Sequence, residues 1–185
     1  MRAVLLAATA GAAIFAASLS SCVGAGGTAC DGACSCPSEA VFTLQAVDGG
    51  TVPAGASVSA YLERRCGTLD CHGSAARPLR LYGRLGLRDP AGTDISGGKA
   101  TTPAELSDNY SAVCSLQPEL MSAVVEGTAD PESVLLLEKA RGIEGHKGGQ
   151  VFDQGSPADS CVAGWLRGDA PAMVAQSCQT AIDGL

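Results

Sequence analysis

Nine cysteines in a chain of 185 residues constrain the fold more than any other feature. They stand at Cys22, Cys30, Cys34, Cys36, Cys66, Cys71, Cys114, Cys161 and Cys178. Ahead of them Arg2 precedes a run of small apolar residues from Ala3 to Leu19, the pattern of an export signal. The run falls short of the roughly 20 residues that span a bilayer. Export takes cysteines to a compartment where disulfides persist. Nine is odd, so one cysteine needs another fate.

Leu19, Ser20, Ser21 and Cys22 resemble the lipobox of bacterial lipoproteins, in which the cysteine is acylated and becomes the first mature residue. The resemblance implies a signal peptide over residues 1–21, lipidation at Cys22 and anchorage to the lipid bilayer of the bacterial cell envelope. Val23, rather than Asp, resembles the following residue of lipoproteins sent to the outer membrane. The alternative is an ordinary cleavage site beside an incidental cysteine. Residues 22–185 number 185 less 21, or 164, which is one domain's worth of chain with a modest core. Of 12 basic residues Arg2 is lost with the leader, so 11 face 19 acidic ones and the net charge is near −8. That balance argues against nucleic acid as a partner and against electrostatic adhesion to anionic lipid.

The chain divides into a Gly/Cys-rich tether with a short strand over 22–55 and a helical domain over 56–185. The stretch CVGAGGTACDGACSCPSEA lacks hydrophobic periodicity and reads as a tether pinned by disulfides. VFTLQAV reads as a strand stopped by the turn DGGTVPAG. From Ala56 to Cys66, Val58, Tyr61, Leu62 and the stem of Arg65 share one face of an amphipathic helix. Leu79, Leu81, Leu85 and Leu87 alternate with arginines, as two very short strands around Gly83 would. TPAELSDNYSAVC and QPELMSAVVEG each open with proline, and Gly127 ends the second. DPESVLLLEKARG predicts a helix capped by Asp130 and closed by Gly142. GIEGHKGGQVFDQGS is a glycine-rich loop carrying His146, and ADSCVAGWLRG predicts a helix capped by Asp159 with Cys161, Val162, Trp165 and Leu166 on one face. The fold class is therefore mainly α, with a short β element.

The chemistry concentrates in RRCGTLDCHG, residues 64–73, where Cys66, Cys71 and His72 lie within seven positions of a chain that holds one other histidine, His146. A c-type haem needs two thiols for its two vinyl groups and a histidine directly after the second thiol. Here Gly67, Thr68, Leu69 and Asp70 separate the cysteines, so the segment must loop outward. Cysteine arithmetic is neutral. Lipidation of Cys22 leaves eight cysteines for four disulfides, or six for three if Cys66 and Cys71 carry haem. A zinc site from Cys66, Cys71, His72 and His146 has suitable ligand types, but Cys71 and His72 are adjacent, which makes joint tetrahedral ligation awkward. A Cys/His nucleophile would need a free thiol with its base held nearby, and nothing in the sequence arranges one.

Three segments, YLERRCGTLDCHG, DPESVLLLEK and CVAGWLRG, resemble the small mono-haem cytochrome c domains, in particular divergent lipoprotein versions in bacterial envelopes, over roughly residues 56–168. The resemblance implies covalent haem c at Cys66 and Cys71 and His72 as proximal iron ligand. It also implies a final helix, carrying Trp165, packed across the helix that leads into the motif. The task would be one-electron transfer to a redox partner protein rather than an enzymatic reaction. The methionine before a proline that usually serves as distal ligand is absent. Met121 sits on an apolar helix face and reads as core, and Met173 follows the tryptophan helix. His146, flanked by Gly145, Gly148 and Gly149, is the distal candidate, the alternative being a surface histidine. Arg77, Arg80, Arg84 and Arg88 either meet haem propionates or pair locally with Asp70, Asp89 or Asp94. The rival reading is a haem-free lipoprotein in which Cys66 and Cys71 form a disulfide, serving as a binding or structural module.

Overall fold

The computed structural model describes residues 34–45, 55–89 and 100–185. The expected signal peptide, Cys22, Cys30, most of the tether, the greater part of the turn at 48–55 and Asp94 lie outside the described residues. The described part is mainly helical and carries two disulfides.

The first element corrects the sequence reading, because Glu39–Thr43 is a helix, α1, where a strand was expected. Ser38 caps it by accepting a hydrogen bond from the Val41 amide. Tertiary contact overrides the strand-favouring residues here. Phe42 is fully buried, its ring 4.9 Å from that of Trp165 and 5.7 Å from that of Tyr110. The indole nitrogen of Trp165 donates to the Ser38 carbonyl at 3.0 Å. One helical turn lets Ser38 and Phe42 reach the same indole. The Cys36–Cys114 disulfide then fastens this segment to the helical domain.

Helix α2, Val58–Arg65, buries Val58, Tyr61 and Leu62 as its periodicity requires, whereas Arg65 stays exposed. Helices α3 (Pro103–Cys114) and α4 (Pro118–Val125) follow. The single helix expected from Asp130 is broken in two. Asp130 caps a 3-10 turn at Pro131–Ser133, Val134 is extended, and α5 runs over Leu135–Ala140. The Gln117 side chain accepts the Leu135 amide at 2.6 Å, which satisfies the second helix start. Helix α6, Pro157–Arg167, begins earlier than expected. Ser156, not Asp159, is its cap, and Asp159 accepts from the Gly155 amide one turn into the chain's approach.

A last helix, α7 at Pro171–Asp183, was not anticipated, so the tryptophan helix is not the final one. It folds back on α6, and Cys161–Cys178 joins the two. α2 packs chiefly on α7 and only secondarily on α6. The core therefore sits between α2 and the α6–α7 hairpin, with Trp165, Tyr61, Phe42, Leu81 and Met121 its largest fully buried members. Of the two short strands expected around Gly83, only a single bridge between Tyr82 and Leu87 forms among the described residues.

Asn109, fully buried on α3, fixes that bridge segment. Its Oδ1 accepts the Tyr82 amide at 2.7 Å and its Nδ2 donates to the Tyr82 carbonyl at 2.9 Å. Nearby, Glu105 closes a capping box with Thr102 and takes a two-pronged ion pair from Arg88 at 2.8 and 2.9 Å. Burial pushes the Glu105 carboxyl upward, but bonds from Arg88 and from the Thr102 and Asp89 amides hold it below the usual carboxylate range.

Candidate functional site

Helix α2 runs directly into the cysteine motif. At its end the Cys66 amide bonds the Leu62 carbonyl and the Gly67 amide bonds Leu62 and Glu63. The chain then coils into a compact loop. Cys71 and Gly73 both donate to the Thr68 carbonyl at 2.9 Å, and His72 donates back to Cys66 at 2.8 Å. That last bond draws the first cysteine and the histidine together despite the wide spacing. Three glycines make the coil possible. A side chain on Gly73 would strike the Gly67 carbonyl and lie 2.7 Å from the Gly86 Cα, so the turn at 83–87 can cross the loop only where neither strand of chain has one.

Cys66 and Cys71 are thiols, unjoined in a molecule that joins Cys36 to Cys114 and Cys161 to Cys178. Burial pushes the Cys66 thiol up to about 11, which keeps it protonated at neutral pH.

The two histidines come together. The rings of His72 and His146 have their centres 6.0 Å apart and their planes 11° from parallel, although 74 positions separate them in the chain. His72 Nδ1 lies 3.1 Å from the Leu79 carbonyl, and His146 Nδ1 lies 3.0 Å from the Gly149 carbonyl. A carbonyl oxygen can only accept, so each Nδ1 carries a proton, and in the neutral form of such a ring the lone pair is on Nε2. Burial lowers the affinity of His72 for a second proton. This is the tautomer in which histidine ligates metal, with its outer nitrogen anchored to the backbone.

The loop bearing His146 is closed at its base. The Val151 amide donates to the Ala140 carbonyl at 2.7 Å, and Arg141 at one end pairs with Asp159 beyond the other at 2.7 Å. Lys139 reaches in to the Gly145 carbonyl at 2.8 Å. Gly149, at φ 71°, bends the backbone so that its carbonyl meets His146.

The two methionines differ in burial, Met121 as expected. Met121 is fully buried in the core, whereas Met173 on α7 is 65% exposed. The arginine cluster also divides. Arg88 pairs with Glu105, a partner the sequence did not suggest, and Arg80 and Arg84 are exposed. Arg77 bonds two backbone carbonyls of the cysteine loop. Sequence reasoning missed that role and the Arg141–Asp159 closure, and no motif marks either. Among the described residues no cluster of three or more metal-binding side chains forms, so the zinc alternative has no geometry behind it.

No family model matches the chain, and neither a curated protein nor a solved structure matches it.

Proposed function

We propose that this protein is an envelope-anchored, mono-haem c-type cytochrome-like lipoprotein that transfers single electrons, with Cys66 and Cys71 as the attachment residues and His72 and His146 as axial ligands. The observation that carries the reading is the imidazole pair, its ring centres 6.0 Å apart and its planes 11° from parallel, each ring anchored to the backbone through Nδ1. Two unjoined thiols on the loop that ends in His72 add to it. So do Leu69 and Ile143, exposed large apolar side chains three residues from His72 and from His146 in the chain.

A bound haem supplies the reversible one-electron chemistry of its iron. The chain's own part is to present the thiols, anchor both imidazoles to the backbone through Nδ1, and fix the His146 loop at its base. Lipidation at Cys22 would place the domain on a bacterial envelope membrane, the outer one by the Val23 resemblance, within reach of a redox partner protein.

The test is expression of the full chain with a cytochrome maturation system. Haem retained through a denaturing gel, with both Cys66 and Cys71 unavailable to alkylation, is the expected result. A mature mass lacking haem, with Cys66 joined to Cys71, would instead establish the disulfide-stabilised binding or structural module. Cys22→Ala should release the protein from membranes or block its processing.

A further inference from the structure

The four residues between Cys66 and Cys71 raise a question that the thiols themselves leave open. Each residue brings two soft backbone torsions, so a longer loop presents its second thiol less reproducibly unless something fixes it. Amide donors account for one side of the loop, through the bonds from Cys71 and Gly73 to Thr68 and from His72 to Cys66. The carbonyls of Asp70 and Cys71 are held from outside it. Arg77 Nε donates to the Cys71 carbonyl at 3.2 Å and an Arg77 terminal nitrogen to the Asp70 carbonyl at 3.2 Å. A guanidinium is a rigid planar fork, so two bonds to adjacent peptides fix their relative orientation as a lysine could not. Arg77 is itself half-buried, unlike Arg80 three residues on.

We propose that Arg77 is a positioning residue for covalent attachment, clamping the wide Cys66–Cys71 loop so that the second thiol is presented in register with the first. The inference rests on the haem reading above. In attachment each thiol adds S–H across one vinyl C=C of the haem. The sulfur bonds to the carbon nearer the ring and the hydrogen goes to the terminal carbon, with nothing leaving and no net oxidation. Cys66 follows directly from α2 and is fixed by it, so loosening the clamp falls on Cys71 alone.

The experiment compares wild type, Arg77→Gln, Arg77→Lys and Arg80→Gln, each as full chain made with the maturation machinery. Haem-bearing protein is denatured, alkylated and peptide-mapped, and its alkaline pyridine haemochrome spectrum is recorded. Wild type and R80Q should show both cysteines blocked. In R77Q at least half of the haem-bearing chains should carry an alkylated Cys71 with Cys66 still blocked. The visible band should move a few nanometres to the red, since one vinyl group remains conjugated. R77K, which donates from a single nitrogen, should fall between, and it is read in the same way if R77Q does not accumulate. Cys71 blocked as in wild type, or equal loss at Cys66 and Cys71, overturns the proposal. Wild type without covalent haem overturns the functional reading itself, and that is seen before any variant is compared.

Discussion

Arg141 Nε lies 2.7 Å from Asp159 Oδ1, and the two residues stand on either side of the loop that presents His146. Both side chains are almost wholly buried, at 4% and 6% exposure, and Glu132 completes the cluster from the 3-10 turn. A buried pair broken on one side leaves an uncompensated charge, which costs about 3–5 kcal/mol. Arg141→Met is therefore expected to lower the stability measured by urea unfolding by that amount and to expose residues 142–150 to limited proteolysis. A loss below about 1 kcal/mol, the range of exposed pairs, would mean that the closure does not depend on this contact.

Glu105 gives the fold an acid limit. Its carboxyl titrates below the ordinary value of 4.5, so the folded chain holds fewer protons there than the unfolded one. The stability it contributes is complete above that ordinary value and is lost as pH falls through the lower folded value. Glu105→Gln should cost about 3 kcal/mol at neutral pH, because the two-pronged contact with the largely buried Arg88 loses its charge. The same variant should flatten the fall in stability below pH 4.5 that is expected of wild type, as followed by circular dichroism across pH. An unchanged acid profile would assign the acid limit to other carboxylates.

The disulfides should differ in weight. Cys36–Cys114 closes a separation of 78 residues and Cys161–Cys178 one of 17. Chain-entropy arguments give about 4.5 kcal/mol for the longer loop and about 3 kcal/mol for the shorter. Replacing Cys36 and Cys114 together by alanine should thus lower the denaturation midpoint more than replacing Cys161 and Cys178. The reverse order would show that the α6–α7 hairpin needs its bond for packing rather than for loop closure.

Legibility followed the range of the forces involved. Val58, Tyr61 and Leu62 on α2, and Cys161, Val162, Trp165 and Leu166 on α6, carry their burial in their spacing, and each is buried. Pro103, Pro118 and Pro171 each mark a helix start, and Val174, Cys178 and Ile182 follow the last at helical intervals, so α7 too was legible in the sequence. α1 could not be read locally. Five residues rich in strand formers become helical because Phe42 and Ser38 both meet Trp165, more than 120 positions away. At the site, the adjacent Cys71 and His72 were plain from the sequence. The approach of His146 was not, since it depends on Ala140, Val151, Arg141 and Asp159 closing a loop whose own residues are mostly glycine and polar.

His146 and Met121 allow the axial assignment to be separated from stability. Met121 is fully exposed to core packing and none of it to solvent, so Met121→Ala should cost about 2–5 kcal/mol and leave the absorption spectrum alone. The hydrogen bond that anchors His146 lies within its own exposed loop, at the Gly149 carbonyl, so its removal should cost little folding energy. In haem-bearing protein, the ferric spectrum of wild type should be low-spin without the weak far-red band of sulfur ligation. Two imidazoles should also set the potential below that of a His/Met pair, because thioether sulfur favours ferrous iron, axial ligands being one lever on a span of roughly 0.8 V. His146→Ala should turn the spectrum high-spin and admit added imidazole. A spectrum indifferent to the loss of His146 but altered in Met173→Ala, whose side chain is 65% exposed, would transfer the ligand role to α7. Indifference to both would leave an open iron face, and small-ligand binding would then displace electron transfer as the function.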